Sequence, residues 1–471
     1  MKRYLLSLFV LFALLSGLLV TTTRVAHAAT SSCVPSSGVN TMTGTTPGTI
    51  PGTSSSYKIE VPSNWNGTLV LYSHGYVFPG QPNPAQDAGD PLTGAALLQQ
   101  GYALAGSSYS LAGWALQQAF HDQIALLDLF DATCGNPTRT IAWGHSLGGI
   151  ITAGLVQLFP ERFAGALPMC GVLAGGVGTW NQGLDSAFAF DVLLAGNTLP
   201  IVHLTNPATV AGAFTQAEGI LTAAQLTAQG RARIALTAAL ADIPGWFDPA
   251  SPEPASKAFT AQEQNQFLWE SNVDFLFAFF GRAELEARAG GNPSWNTGVN
   301  YRKQLEHSSD SREVVALYKQ AGLDLNKDLK ALATAQRISA DPQAVQYLSN
   351  YIIFNGNLSI PVLTMHTTGD GLVVNQDEQA YASVVRADGN NSLLRQVFVH
   401  RAGHCAFTPA ETLTAFQTLI QRLDTGRWDG STNPGLLNQE AAALGPTLNI
   451  APPAFLSFEP TVFLRPFDAR D

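Results

Sequence analysis

The sequence predicts an α/β fold, with a mostly parallel central sheet flanked by helices and a large helical insertion. Three observations lead there. Short, apolar, β-prone runs alternate with segments of helical spacing up to residue 174. The chain then becomes Ala/Leu/Gln-rich and helical as far as residue 350, and sheet-like runs resume at residue 360. Strands alternating with helices are the pattern of βαβ units, whose strands lie parallel and buried on both faces.

Each element has its own reason. Residues 57–61 alternate apolar and polar, as an edge strand does, and residues 68–72 form a continuous apolar run suited to a buried strand. Residues 102–107, 139–143 and 163–169 read as further strands. Between the first two of these, residues 114–130 place Leu116, Phe120, Ile124 and Leu127 at helical spacing. Residues 146–159 read as a helix closed by Pro160. From 175 to 350 the reading is helical, with breaks at Pro207, Pro244, Pro252 and Pro293. Strands return at 360–366 and 394–400, followed by a helix at 409–423 and a Pro-rich, irregular tail that wraps the core.

The organisation expected is a signal peptide at 1–28, a first core part at 29–174, a helical cap at 175–350, a second core part at 351–425 and the tail at 426–471. Two βαβ steps need on the order of 60 residues, so the long helical stretch reads as an insertion after the sixth strand. An independent second domain is the alternative.

Lys2 and Arg3, an apolar run from Tyr4 to Val20, and Ala26-His27-Ala28 make up the basic, apolar and small-residue regions of a secretory signal. The mature protein is therefore expected outside the cell, with no stable membrane anchor. The formal charge is −10, and loss of Lys2, Arg3 and Arg24 takes it to −13. So acidic a chain, without a basic run, is a poor partner for nucleic acid. Four cysteines, Cys33, Cys134, Cys170 and Cys405, suit two disulfides in an exported protein, and three connectivities are possible. Cys170 and the loop after residue 400 belong at the carboxyl edge of the sheet, whereas Cys134 precedes a strand at the opposite edge. That layout favours Cys170–Cys405 and Cys33–Cys134, because bridged Cα atoms must lie within about 7 Å.

The chemistry centres on Gly144-His145-Ser146-Leu147-Gly148-Gly149, placed between a strand and a helix. A serine hydroxyl needs an adjacent base to become a nucleophile. A sharp strand-to-helix turn exposes that hydroxyl above the sheet, and glycines two residues away on either side permit the backbone to turn. Ser146 is the expected nucleophile. Asp370, in Gly369-Asp370-Gly371, follows the strand ending at His366, where the orienting acid belongs; Asp377 is its rival. His404 follows the strand ending at His400 and is the expected general base, in preference to His366 or His400. The oxyanion would be bound by the backbone N–H groups of Leu147 and of Tyr76, which follows His74-Gly75 after an early strand. His74 itself is expected to be structural.

With these motifs in place, residues 57–174 and 360–423 resemble the α/β-hydrolase superfamily. The resemblance implies an eight-stranded, largely parallel sheet and a two-step acyl-enzyme mechanism that uses neither metal nor cofactor. His145-Ser146-Leu147-Gly148-Gly149 is most similar to lipases and esterases. His404-Cys405 resembles the tannase and feruloyl-esterase group, in which a disulfide ties the histidine loop to the nucleophile region. That group carries Cys directly before its serine, where this chain has His145.

No HExxH, P-loop or dinucleotide fingerprint occurs. The Asp324–Asp328 stretch resembles the start of an EF-hand, but Leu329 and Ala335 stand where the loop needs Gly and Glu. The expected substrate is a small or oligomeric ester of a hydrophobic or aromatic acid. An aromatic group (Phe267, Trp269, Phe275, Phe277, Phe279 and Phe280) is available either to line the acyl pocket or to fill the cap core. The same triad serves a peptidase or amidase, for which Glu263, Glu270, Asp274, Glu284 and Glu286 would supply the acids that pair with an ammonium group. A non-catalytic binding protein is a further alternative, disfavoured by the complete triad.

Overall fold

A computed structural model of the chain describes residues 33–45 and 49–467; the expected signal peptide lies outside the described residues. The strands are β1 (Val39–Gly44), β2 (Tyr57–Pro62), β3 (Thr68–Ser73), β4 (Ala103–Ser107), β5 (Arg139–His145), β6 (Gly165–Met169), β7 (Val362–Gly369), β8 (Leu394–Ala402) and β9 (Phe455–Leu456). They form one sheet in the order β1-β2-β4-β3-β5-β6-β7-β8-β9. From β4 across to β8 every neighbouring pair is parallel, and β1, β2 and β9 attach antiparallel at the two sides. This is the α/β-hydrolase architecture.

Side-chain alternation divides the core. Leu69 and Leu71 of β3 pack with α2 (Leu116–Cys134) and α3 (Leu147–Leu158), while Val70 and Tyr72 face α1 (Pro91–Gln99) and the late helices. Successive residues of a strand point to opposite faces, so one apolar run serves both layers. Between β6 and β7 lie α4 (Gly175–Phe190), α5 (Pro207–Gln225), α6 (Ala228–Ala239), α7 (Phe259–Trp269), α8 (Arg282–Ala289), α9 (Tyr301–His307), α10 (Ser311–Ala321), α11 (Leu325–Thr334) and α12 (Pro342–Asn350). Most of these helices, with the π-helical turn Phe277–Gly281, share a core of their own, containing Leu221, Leu236, Phe279 and Tyr318. The last helices are α13 (Gln376–Ala387), α14 (Pro409–Thr425) and α15 (Pro434–Ala443).

Four details differ from the sequence reading. Residues 57–61 lie inside the sheet, because the Thr-rich leader supplies β1 as the outer strand and Cys33–Cys134 (Cα–Cα 5.0 Å) fastens that leader to the end of α2. The sheet has nine strands and not eight, since the tail adds β9 to β8. The tail is also more regular than its prolines suggest, with Pro434 opening α15 behind an Asn433 cap. Pro207, read as a break, likewise starts a helix: Asn206 caps α5 with Pro207 at its first position. Proline lacks only a donor that the first helical turn does not use, and its fixed φ suits that position.

Candidate active site

β5 ends at His145, and Ser146 stands between it and α3 with φ 59° and ψ −123°. A non-glycine residue in the left-handed region is held there by its surroundings. The glycines explain how. A Cβ on Gly144 would lie 2.5 Å from the carbonyl oxygens of Gly148 and Ser73, and one on Gly148 would overlap the Ser73 carbonyl. Strand, turn and helix are thus pressed together backbone to backbone. The Ser146 amide donates to Met169 O at 3.0 Å, which fixes the turn against the end of β6.

Asp370 follows β7 and is fully buried. Its Oδ1 accepts from the amides of Leu372 and Val373, both at 3.1 Å, and its Oδ2 lies 2.7 Å from His404 Nδ1. Burial alone would raise this carboxyl, but the charge of His404 and hydrogen bonds from His366 and His404 hold it below the usual range. Asp377 makes no contact of this kind with His404: its Oδ1 accepts from Ala174 N at 2.9 Å, and burial pushes its carboxyl up to about 7.

The disulfide Cys170–Cys405 (Cα–Cα 5.4 Å) joins the end of β6 to the histidine loop. Because Met169 O holds the Ser146 amide and Cys405 adjoins His404, the bridge links both loops within one residue of each. His404 Nε2 faces Cys405 Sγ at 3.4 Å. The serine hydroxyl has no hydrogen-bond partner among the described residues and lines the cavity below it. Gly75 packs so closely that a Cβ there would lie 3.4 Å from Ser146 Cβ, which places the Gly75–Tyr76 peptide beside the serine. Leu147 opens α3, where an amide has no intrahelical acceptor. His74 is stacked on Tyr109 (centroids 4.0 Å apart) and its burial lowers its pKa.

Two residues near the acid were given no role from sequence: Glu378 was not singled out, and His366 was set aside as the base. His366, fully buried, sets Nε2 2.8 Å from Val373 O and 3.6 Å from Asp370 Oδ2, and Nδ1 3.1 Å from Glu378 Oε1. Burial opposes its charge, yet the hydrogen bonds to Asp370 and Glu378 push its pKa up to about 10. Asp370 thus serves two imidazoles, with Glu378 behind the second. The spacing of His366 four residues before Asp370 was the available signal.

The cavity at Ser146 occupies about 1210 Å³, its open mouth included. Phe275, Phe277 and Phe279 line it, whereas Phe267 and Phe280 pack into the core of the helical insertion. Trp269 is buried against Ala241 and Ile243. Two π-helical turns, Glu270–Asp274 and Phe277–Gly281, carry much of this wall. Of the five acids considered for pairing with an ammonium, Glu270 and Asp274 line the cavity. Glu263 lies near Gln225, Glu284 pairs with Arg288 at 2.7 Å, and Glu286 accepts from Leu204 N.

A curated relative, the o-phthalyl amidase of Xanthobacter agilis, is 31% identical over 421 residues, covering 83% of this chain and 89% of the relative. Among solved structures, feruloyl esterase B from Aspergillus oryzae is similar with a TM-score of 0.38 and 15% identity, over 82% of this chain and 80% of that one. The rice cell wall degrading esterase LipA from Xanthomonas oryzae matches with a TM-score of 0.36 and 14% identity, over 82% and 89%. The model of the Tannase-like family of unknown function (DUF6351) matches residues 49–422, and the chain belongs to that family.

Proposed function

We propose that this protein is an exported serine hydrolase that cleaves carboxylic esters of hydrophobic or aromatic acids by an acyl-enzyme mechanism. The observation that carries the reading is the Asp370–His404 pair, tied by Cys170–Cys405 to the strand end that also holds the Ser146 amide. The family and the 31% identical amidase support a hydrolase of the esterase/amidase kind. Export is favoured by the two disulfides, which persist in oxidising compartments. No helix among the described residues is long and apolar enough to cross a membrane.

In the proposed reaction, Ser146 Oγ attacks the acyl carbon while His404 Nε2 takes its proton. The carbonyl oxygen, now negative, is held by the Leu147 and Tyr76 amides, each worth about 3 kcal/mol. His404 then returns the proton to the departing alkoxide, and the acyl group stays on Ser146 until water, activated by the same imidazole, releases the acid. Asp370 keeps Nδ1 protonated and the ring aligned.

The relative named o-phthalyl amidase favours a second reading, in which the scissile bond is an amide. A peptidase that pairs a substrate ammonium with Glu270 and Asp274 is less well supported. Burial pushes Glu270 up to about 8 and Asp274 well above its ordinary value, which disfavours the charged carboxylates that such a pairing needs. Fluorophosphonate labelling and turnover of 4-nitrophenyl esters and matched 4-nitroanilides test the proposal together. Ser146→Ala should abolish labelling and lower kcat by up to about 10⁶-fold. Labelling that survives this change moves the nucleophile elsewhere, and anilide turnover equal to ester turnover selects the amidase reading.

A further inference from the structure

Behind the Asp370–His404 pair lies a second imidazole whose two nitrogens both face acceptors. His366 stands on β7, four residues before Asp370, with no exposed surface. Its Nε2 lies 2.8 Å from Val373 O, and a carbonyl oxygen can only accept, so this nitrogen carries a hydrogen. Its Nδ1 lies 3.1 Å from Glu378 Oε1. The other oxygen of Glu378 accepts from Thr364 Oγ1 and Gln396 Nε2. With donors on that side, Glu378 meets the ring as an acceptor as well, so Nδ1 also donates and the ring is an imidazolium.

This ring reaches the acid in two ways. One is mechanical. Val373 is gripped from both sides: its amide donates to Asp370 Oδ1 at 3.1 Å, while its carbonyl accepts from His366. The loop that wraps the acid is thereby anchored to β7. The other way is electrostatic. His366 Nε2 lies 3.6 Å and His404 Nδ1 2.7 Å from the same oxygen, Asp370 Oδ2. Two nitrogens so placed are at most about 6 Å apart, and charges on them interact strongly even at an effective dielectric constant of about 20.

The ionisable groups around the network leave it intact. From α13, Asp377 faces the ring but spends Oδ1 on Ala174 N, and Tyr381 faces Glu378 with its hydroxyl kept neutral by burial. From the helical insertion, Asp274 faces Asp370, and burial raises its carboxyl. β7 and β8 contribute the neutral Thr364 and Gln396. Burial opposes the charge on His366, but the bonds to Asp370 and Glu378 outweigh it and push the ring up to about 10. His366 is not part of the cavity lining, so its effect on substrate passes through Asp370.

We propose that His366 is a positioning residue for the reaction: as a buried imidazolium held by Glu378, it fixes the Val373 loop around Asp370 and keeps a positive charge behind the acid, which extends turnover to lower pH. This rests on the serine-hydrolase reading above. The sign follows from like charges. A cation behind Asp370 opposes the arrival of a second one on the neighbouring base, so its loss moves the acid limb of kcat/KM to higher pH.

The test measures pH profiles of kcat and kcat/KM on a 4-nitrophenyl ester. His366→Gln keeps a donor for Val373 O and removes the charge. Its acid limb should move up by about one pH unit, while kcat on the plateau stays within about tenfold of the unsubstituted enzyme. His366→Leu removes donor and charge together. It should show the same displaced limb and lose about 10²-fold in plateau kcat, the cost of about 1 Å of misplacement, with KM unchanged. Glu378→Gln takes away the ring's anionic partner and should move the limb in the same direction by less. Nitrogen-15 histidine spectra read the ring without turnover: one imidazole should carry both protons at about pH 8, above the ordinary value near 6.5. Glu378→Gln should lower the pH at which that ring gives up a proton. These two measurements decide the matter if His366→Gln does not fold. An unmoved acid limb with turnover that depends on Ser146 overturns the role of His366 alone, as does a spectrum in which every ring is singly protonated at that pH. Turnover that survives Ser146→Ala, yet shows the displaced limb in His366→Gln, keeps His366 and overturns the serine reading.

Discussion

Removing each disulfide separately should cause similar losses of stability but very different losses of activity. Cys33–Cys134 closes a span of 101 residues and Cys170–Cys405 one of 235. Chain entropy then assigns about 4.7 kcal/mol to the first and about 5.5 kcal/mol to the second, both upper values because native strain and denatured-state structure reduce them. A logarithmic dependence makes a doubling of span worth less than 1 kcal/mol. Activity follows position instead. The first bridge holds β1's leader to the end of α2, at the opposite end of β5 from the serine turn, whereas the second joins the residue after Met169 to the residue after His404. Without it the histidine loop keeps the Asp370 contact, Gly403 N to Gly369 O at 3.0 Å, and Thr367 Oγ1 to Gly403 O at 2.8 Å. Those bonds preserve the loop but allow the imidazole to drift, and a displacement of about 1 Å costs about 10²-fold. Urea midpoints followed by Trp fluorescence, with kcat on a 4-nitrophenyl ester at 20 °C, compare Cys33→Ala/Cys134→Ala with Cys170→Ala/Cys405→Ala. Equal kcat losses in the two folded variants, or an unchanged kcat in the second, would refute the reasoning.

Two further outcomes concern buried carboxylic acids and helix glycines. Burial pushes Glu270 up to about 8, Glu313 up to about 9 and Glu263 up to about 7, all above the ordinary carboxylate value. A raised folded pKa means that stability is fully present below the unfolded value near 4.5 and is lost as pH rises through 7 to 9. The urea midpoint should therefore fall from pH 5 to pH 9, and Glu313→Gln should recover on the order of a few kcal/mol at pH 9; a midpoint that rises over this interval contradicts the assignment. Gly148→Ala would drive a Cβ into the Ser73 carbonyl and should cost about 1–3 kcal/mol along with fluorophosphonate labelling, whereas Gly212→Ala, with nothing within 4 Å, should stabilise α5 by about 0.5–1 kcal/mol. Equal effects of the two glycine changes would show that the serine turn tolerates a side chain.

What the sequence made legible was local. The serine turn announces itself because backbone crowding demands glycine at positions fixed relative to Ser146. Asp370 and His404 could be found because parallel strands deliver their following loops to one edge. The cysteine pairs followed from the same edge argument. The outer strand β1 was missed because its partner β2 lies beyond a leader whose composition reads as irregular. Trp114, Trp180 and Arg282 of the cavity wall were invisible for a deeper reason: they come from a loop before α2, from α4 and from the start of α8, and only tertiary packing joins them. No periodicity or spacing marks such a group. His366 and Glu378 lie close together in sequence, yet a strand histidine with an apolar setting reads as core until its two ring nitrogens are seen facing a carbonyl and a carboxylate.

The order of the cysteines along the chain has a consequence for biogenesis. Cys33 bonds to Cys134 and Cys170 to Cys405, so each cysteine pairs with its neighbour in sequence and the two covalent loops neither cross nor nest. A chain oxidised as it emerges, amino end first, meets its correct partner each time before the next pair is exposed. The first loop is closed while the second is still to come, and the later thiols find no earlier thiol left to capture. Thiolate attack on an existing bridge, the usual route by which wrong pairs form and are corrected, is not required. Linear connectivity of this kind lets a simple dithiol oxidant suffice where interleaved bridges would call for repeated reshuffling.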